Sequence, residues 1–519
     1  MDKGSSIVRS ASVMIVATFA SRVLGFIRDM VIAQFFGATR LSDAFFVAFR
    51  IPNLMRDLFA EGAMSAALIP VLSEYRTKEG EDETIKLVRS VLMVITIFVG
   101  GLCVAGIIFA PYIVKVIAPG FLFDPHKFEI TVLLTRIMFP FLLFVSYAAL
   151  VMGVLNSRKI FFVPTLASAW FNFAIIATIL LLYPFFDEPV TVAAVGVSVG
   201  GIVQFLWQIP VFLKDGYSLR PLFYFRHPAL KQMGLLLIPA TFGMAVNQLN
   251  IFISTMLASY LAVGSIAYLY YAMRLIQFPI GIFGVALSTA VLPTLSDHAS
   301  KNDFISIKDD LSFSLKLLFA ITVPSMIGLM MLGHPIIHVL FQRGKFDFIA
   351  TQNTTIALMY YSCGIWAIVG ARMLTSAFYS MQDTKTPVKL TIIALIVNLF
   401  LSIMLIGPLG FGGLALANAI SATMNFFMLL FYLYKKLNGF DLKGIIISFI
   451  KTLTASIVMG AFGWVLINQI PWIENGNMLF KSGYLIIVIA LSTLMYLGTA
   501  YAFKSHEIKY IVELIRKRI

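Results

Sequence analysis

Arginines and carboxylates interrupt the two apolar segments at the start of the chain. Arg22, Arg28 and Asp29 stand in the first segment. The second segment carries Asp43, Arg50, Arg56, Asp57 and Glu61. An arginine at the centre of a membrane helix costs about 2.5–3.5 kcal/mol on insertion scales, so several together require a partner or a wet cavity. Because guanidinium groups bind phosphate oxygens bidentately, we predict a phosphate-binding site here.

Helical spacing predicts partners for some of these arginines. Arg22 and Asp29 are seven residues apart and share a helix face. The same spacing relates Asp43 to Arg50, and Arg50 to Asp57. Three arginines are left without a same-face acid: Arg28, Arg56 and Arg274. They indicate a cationic cavity; the alternative is that they form interhelical salt bridges or extend to the membrane interface, which we favour for Arg40 and Arg76.

The composition requires lipid as the solvent. The 519 residues are 60% hydrophobic and only 12% charged, whereas soluble domains carry about a quarter charged residues. Apolar stretches of membrane length, roughly 20 residues, follow one another along the chain. They lack the ten-residue alternation of a membrane β-barrel. We therefore predict an all-α polytopic membrane protein with about fourteen transmembrane helices and no cleavable signal peptide.

The distribution of basic residues predicts the orientation. The net charge is +14, and most lysines and arginines fall in alternate loops and in the basic tail. The opposite loops carry little beyond Arg40, Lys127, Arg343, Lys345 and Lys481. By the positive-inside rule we predict that both termini are cytoplasmic. The basic excess then reflects topology and anionic-lipid contact, with nucleic acid a remote alternative.

An internal repeat divides the chain. A shift of 223 residues places Ile69-Pro70-Val71-Leu72-Ser73 on Leu292-Pro293-Thr294-Leu295-Ser296, and Ser157 on Ser380. We predict a six-helix half at residues 1–223, a second at 224–446, and two further helices with the basic tail at 447–519. Parallel repeats place substrate sites near the midplane between the halves.

Other polar signals are weaker. Asn247, Asn250 and Ser254, with Gln248, could ligate a sodium ion, although interhelical hydrogen bonding is the favoured interpretation. His334 and His338 have metal-ligand spacing without an acidic third ligand, so packing is favoured and no metal site is predicted. The sequence contains no P-loop or nucleophile elbow. We expect no cofactor, no ATP as the direct energy source, and coupling to the membrane potential or a monovalent cation.

Five sequence blocks are distinctive: SRVLGFIRD from Ser21, SDAFFVAFRIPNLMRDLFAEGAMSAALIPVLSEY from Ser42, YYAMRLIQFPIGIFGVALSTAVLPTLS from Tyr270, LFQRGKFD from Leu340 and KTPVK from Lys385. These blocks closely resemble the MurJ (MviN) family of lipid II flippases, which implies a bacterial inner-membrane protein. The resemblance covers nearly the whole chain in order. It implies alternating access in the multidrug/oligosaccharidyl-lipid/polysaccharide exporter superfamily, with a groove for the polyprenyl tail beside the last two helices.

The resemblance also implies roles for individual residues. The essential cavity arginines of the family match Arg22, Arg28, Arg56 and Arg274, with Arg50 where lysine is common. The cavity acids and polar support match Ser21, Asp29, Asp43, Asn53 and Glu61. Met273 and Gln277 stand where many members carry acids, so the counter-ion of Arg274 is left open.

We therefore predict a transporter, not an enzyme. It would move the peptidoglycan precursor lipid II to the outer leaflet, with the pyrophosphate on the cavity arginines. The other expected partners are membrane lipids and cell-wall synthesis proteins. The alternatives are a flippase for another polyprenyl-linked glycan and a non-enzymatic scaffold of the cell-wall machinery. A cationic-drug exporter would favour an acidic cavity, and a membrane glycosyltransferase would require a sizeable loop with an acidic site.

Overall fold

The computed structural model describes residues 3–57, 63–225, 227–472, 476–505 and 507–509. These ranges contain helices and no β-strand, which confirms the all-α prediction. Packing contacts divide the chain into two compact units, Met1–Ile266 and Ala267–Ile519.

Long helices joined by short turns build the first unit. They are α1 Lys3–Phe36, α2 Arg40–Arg56, α3 Ala63–Lys78, α4 Glu81–Ile117, α5 Pro125–Ser157, α6 Phe162–Leu182, α7 Thr191–Leu206, α8 Ile209–Lys214 and α9 Pro228–Ala258. The second unit follows the same plan. Its helices are α10 Ser265–Pro279, which begins at the boundary, α11 Val285–Ser300, α12 Phe304–Phe341, α13 Phe348–Ser362, α14 Ile365–Ser380, α15 Lys385–Leu409, α16 Phe411–Lys436, α17 Leu442–Ile467 and α18 Met478–Ala502.

Membrane-length helices dominate both units. In the described ranges ten segments are long and apolar enough to cross a bilayer. They are α4, α5, α6, α7 with α8, α12, α13 with α14, α15, α16, α17 and α18. The segments outside this set, α1, α2 with α3, α9, and α10 with α11, are those that carry the predicted site residues. The total of fourteen spans stays a prediction.

The helix bounds repeat at the interval found in the sequence. Adding 223 to the bounds of α4 gives 304–340, and α12 is Phe304–Phe341. Adding it to α5 gives 348–380, the range covered by α13 and α14. The N-caps repeat as well, since the carboxylate of Asp124 accepts a hydrogen bond from the backbone of Lys127 and that of Asp347 from the backbone of Ala350.

The boundary between the two halves falls at different residues when it is drawn from packing contacts and when it is drawn from the sequence repeat. The contact boundary follows Ile266, because α9 packs against α3 and α4 of the first unit. The turn after α9 is held there too, since the Ser259 hydroxyl accepts a hydrogen bond from the Gly120 N–H at 3.0 Å. The repeat boundaries at residues 223 and 446 stay a prediction.

An ion pair joins equivalent turns in each unit, but the acidic and the basic residue have exchanged places between the two units. In the first, Arg158 after α5 pairs with Asp215 after α8 at 3.0 Å. In the second, Asp383 after α14 pairs with Lys436 at the end of α16 at 2.7 Å. Burial raises the pKa of Asp383, but the hydrogen bonds from Lys436 and Thr386 outweigh it and lower that pKa to about 2. The Asp383 carboxylate is therefore charged throughout the physiological pH range.

Candidate functional site: arginines on α1, α2 and α10

Arg28 is buried in a hydrogen-bonded network between α1 and α6. Its Nε and Nη2 donate to Asp29 Oδ1 at 3.0 and 2.7 Å, and its Nη1 donates to Asn172 Oδ1 at 3.0 Å. Arg28 is 8% exposed and Asp29 is fully buried. Arg28 thus pairs with the adjacent Asp29, which same-face spacing does not identify, and the predicted pairing of Asp29 with Arg22 is not made in the described chain.

The network continues along α6 towards the start of α1. The Asn172 amide donates to the backbone carbonyl oxygens of Ser21 and Ser168, at 3.3 and 3.0 Å. The Ser21 and Ser168 hydroxyls lie 2.8 Å apart. A buried charge pair in lipid needs such extra hydrogen bonds to satisfy its remaining polar atoms. Ser21, predicted as polar support, is therefore part of the same cluster as Arg28.

Arg22 has a different environment from Arg28. It is exposed on α1, and it makes no hydrogen bond or ion pair with the part of the chain that the structure describes. Exposed apolar side chains flank it on the same helix, with Val23 at 40% and Phe19 at 63%. The guanidinium donors of Arg22 are thus available to a ligand.

Asp43, predicted as a cavity acid, forms a buried ion pair in this structure. Its Oδ2 accepts hydrogen bonds from Lys127 Nζ of α5 at 2.9 Å and from the backbone N–H of Gly264 at 2.8 Å. Asp43 and Lys127 are 1% and 4% exposed. The Lys127 ammonium also lies 4.1 Å from the centre of the Phe121 ring. The pair joins α2, α5 and the turn after α9, and Asp43 as a cavity acid stays a prediction.

Neutralising only one member of this pair is expected to destabilise the protein. Asp43→Asn leaves the Lys127 ammonium buried without its carboxylate, which costs about 3–5 kcal/mol for a buried pair. The double variant Asp43→Asn/Lys127→Met should recover most of that loss, because the amide oxygen of the new asparagine can still accept from Gly264. The melting temperature of the detergent-solubilised protein measures both. Equal destabilisation of the single and double variants would contradict the assignment.

The arginines of α2 are engaged by their neighbours and by α9. Arg50 Nη1 donates to Thr255 Oγ1 at 2.5 Å. Arg56 pairs with the adjacent Asp57 at 2.9 Å, and Asp57 Oδ2 accepts from Gln248 Nε2 at 3.1 Å. These contacts join residues other than the ones predicted seven apart. Arg50 and Arg56 are only half-buried.

The remaining predictions on α2 and α9 are partly covered by the structure. Asn53 is half-buried on α2. Glu61 and the side chain of Asn247 lie outside the described residues. Asn250 and Ser254 are half-buried on α9, and the buried Asn250 Oδ1 accepts no hydrogen bond from the described chain. Two of the four described polar side chains here, Gln248 and Thr255, make hydrogen bonds to Asp57 and Arg50. The cation site stays a prediction.

The second unit presents Arg274 on α10. Arg274 is half-buried, and its Nη1 lies 3.5 Å from Gln277 Oε1, three residues later on the same helix. Gln277 is one of the two positions near Arg274 at which the resemblance implies an acid. The contact of Arg274 at position 277 is therefore with a neutral amide.

Some functional neighbours escaped sequence reasoning. Lys127, predicted as a loop charge, is the buried partner of Asp43. Asn172 carried no prediction, although a lone amide in an apolar helix is a signal for an interhelical contact. Arg40, interpreted as structural, pairs with Asp124 at 3.0 Å, and Arg76 donates to the Ser157 carbonyl oxygen at 3.2 Å.

Comparison with known proteins identifies the family of this chain. The family model described as "Lipid II flippase MurJ" matches residues 32–481. The chain belongs to the MurJ family. A Haemophilus influenzae relative named "Probable lipid II flippase MurJ" is 35% identical over 496 residues, which are 93% of this chain and 97% of the relative. The Burkholderia cenocepacia "Lipid II flippase MurJ" is 37% identical over 456 residues, 87% of this chain and 88% of that protein.

Solved structures agree with this membership. A MurJ structure described as "inward closed conformation" superposes with a TM-score of 0.78 at 27% identity, covering 94% of this chain and 98% of the other. An inward-facing multidrug transporter of the MATE family and MOP superfamily gives a TM-score of 0.67 at 13% identity, over 82% of this chain and 98% of the other. At that identity the second match shows a shared fold alone.

Proposed function

We propose that this protein translocates lipid II from the inner to the outer leaflet of the cytoplasmic membrane by alternating access. The observation that carries the proposal is Arg22, an exposed guanidinium without a bonded partner in the described chain, on an apolar helix of a chain of the MurJ family. Such a group is costly in lipid and fits an anionic ligand. The pyrophosphate of lipid II is such an anion.

The arginines divide the binding of the pyrophosphate by their environments. Arg22 makes the first contact, because its donors are uncommitted within the described chain. Arg50 and Arg56 follow, since each is only half-buried. Arg28 holds α1 against α6 and contributes positive potential from within that network. Arg274 contributes positive charge from α10 of the second unit, with Gln277 as its neutral neighbour.

The driving force is the membrane potential or a cation gradient. One elementary charge crossing 100 mV is worth about 2.3 kcal/mol, enough to bias a conformational cycle. Asn247, Asn250 and Ser254 are the candidate ligands for a monovalent cation. Carboxamide and hydroxyl oxygens suit such an ion, and the Asn250 Oδ1, unbonded within the described chain, supports the assignment.

The protein is a multi-pass membrane transporter rather than an enzyme, and its basic loops favour cytoplasmic termini. Besides lipid II its partners are the surrounding membrane lipids and proteins of cell-wall synthesis. The clustered basic residues of the tail, from Lys504 to Arg518, suit contact with anionic headgroups on that side.

Depletion of the protein in its host tests the substrate. Lipid II is expected to accumulate at the inner leaflet and to become inaccessible to an externally added, membrane-impermeant enzyme that cleaves it. Wild type should restore accessibility, and so should Arg40→Ala, because Arg40 makes an exposed ion pair worth about 0–1 kcal/mol. Normal accessibility after depletion, in a strain without redundant flippases, would contradict the proposal and favour another polyprenyl-linked glycan or a scaffold.

A further inference from the structure

An arginine outside the site described above, Arg136, lies on the lipid-facing side of α5. Arg136 is exposed, although it is the only charged residue of α5 between Glu129 and the end of the helix at Ser157. Its surroundings are exposed and apolar: Leu133 of α5 is 44% exposed and Ile108 of α4 is 60% exposed. A charge on such a surface needs a specific reason.

The antiparallel register of α4 and α5 fixes the depth of Arg136. Thr96 contacts Tyr147, and Ile107 contacts Arg136, across the two helices. Lys115, the next charge on α4, lies eight residues beyond Ile107, or about 12 Å along the axis at 1.5 Å per residue. An arginine side chain covers much of that distance when it extends towards the interface. The guanidinium therefore belongs to the leaflet at the α4–α5 turn.

A proline explains the hydrogen bond that holds this arginine. Pro111 has no N–H, so the carbonyl group of Ile107, four residues earlier, loses its helical donor. Arg136 Nε donates to that carbonyl oxygen at 3.2 Å. Within the described chain this is the one hydrogen bond of the side chain. The contact anchors the guanidinium and leaves both Nη groups available on the exposed side.

Polar groups continue from Arg136 towards the α4–α5 turn. On α4, Tyr112 is 69% exposed and Lys115 is exposed, three residues apart on one face. On α5, Glu129 is exposed seven residues before Arg136, on the same face. The register brings Glu129 to the level of Lys115. Two cations, a phenol and one carboxylate thus border the exposed apolar surface formed by Leu133 and Ile108.

We propose that this surface binds a phospholipid with a phosphoethanolamine headgroup. The Nη groups of Arg136 and the Lys115 ammonium bind the phosphate, with the Tyr112 hydroxyl as a further donor. Glu129 binds the free ammonium of the headgroup, and the acyl chains cover Leu133 and Ile108. A purely anionic headgroup satisfies the cations but places no cation at Glu129, so charge complementarity selects the zwitterionic lipid.

Native mass spectrometry of the delipidated full-length protein, titrated with dioleoyl-phosphatidylethanolamine or dioleoyl-phosphatidylglycerol, tests the proposal. Wild type should bind phosphatidylethanolamine the more tightly. Arg136→Gln should weaken that binding at least about tenfold, as expected for the loss of a charged hydrogen-bond partner. Glu129→Gln should remove the preference between the two lipids. The exposed Lys435, at the end of α16, provides the charge-matched control Lys435→Gln, which should bind as wild type does.

A second variant separates the lipid site from the anchoring contact. Pro111→Ala restores an N–H for the Ile107 carbonyl group, so Pro111→Ala/Arg136→Gln repairs the helix without restoring the guanidinium. Weak phosphatidylethanolamine binding in this double variant supports the site. Recovery of binding would show that Arg136 serves only the carbonyl group of Ile107 and would overturn the proposal. Equal binding of both lipids to wild type, or no discrete binding, would also overturn it.

Discussion

Arg22→Ala is expected to abolish lipid II translocation while leaving the protein folded. The side chain is exposed and unbonded within the described chain, so its truncation should change the free energy of unfolding by only about 0.5 kcal/mol. Loss of a guanidinium that binds pyrophosphate removes charge-assisted hydrogen bonds worth about 1.5–3 kcal/mol each. With two such bonds, translocation should fall at least about a hundredfold. Outer-leaflet lipid II in the depleted host and the melting temperature of the purified variant measure the two effects.

Arg22→Lys tests whether the Arg22 guanidinium binds the pyrophosphate through a bidentate contact. Lysine keeps the charge but not the planar fork of donors, so a bidentate contact predicts partial activity, well above alanine and below wild type. Ile27→Ala is the matched control on the same helix, since Ile27 is 39% exposed and apolar. Wild-type translocation by a well-folded Arg22→Ala would remove Arg22 from the site and weaken the proposed function with it.

Helices and their repeat could be predicted because local features determine them. Apolar length, turn residues and capping carboxylates act within a few residues of the chain. Asp124 and Asp347 begin equivalent helices 223 residues apart, and each caps its own helix through a local hydrogen bond. The membrane reinforces this, because every backbone hydrogen bond in lipid must be made within the segment.

The ion pairs could not be predicted because tertiary packing decides them. Helical spacing puts Asp43 and Arg50 on one face, but packing of α2 against α5 brings Lys127 to 2.9 Å from Asp43. The Arg28 side chain pairs with the next residue, Asp29, and same-face spacing does not predict a pair between adjacent residues. Residue types therefore located the charged helices correctly, while the partner of each charge depended on contacts that helical spacing does not describe.

Arg28→Ala is expected to abolish translocation by a different route from Arg22→Ala. It removes the guanidinium that neutralises the fully buried Asp29 and the donor to Asn172. Breaking a buried pair from one side costs about 3–5 kcal/mol. The variant should therefore show reduced abundance in the membrane as well as lost translocation, and its melting temperature should fall well below that of Arg22→Ala.

The neutral pair Arg28→Gln/Asp29→Asn separates folding from transport at this position. Both charges leave together, and the amide of the new glutamine can still donate to Asn172 or to the neighbouring new asparagine, so abundance and melting temperature should return close to wild type. Translocation should stay at the level of Arg28→Ala if the positive potential of Arg28 serves the pyrophosphate. If the double variant translocates lipid II like wild type, Arg28 only holds α1 against α6, and substrate binding in this unit rests on Arg22, Arg50 and Arg56.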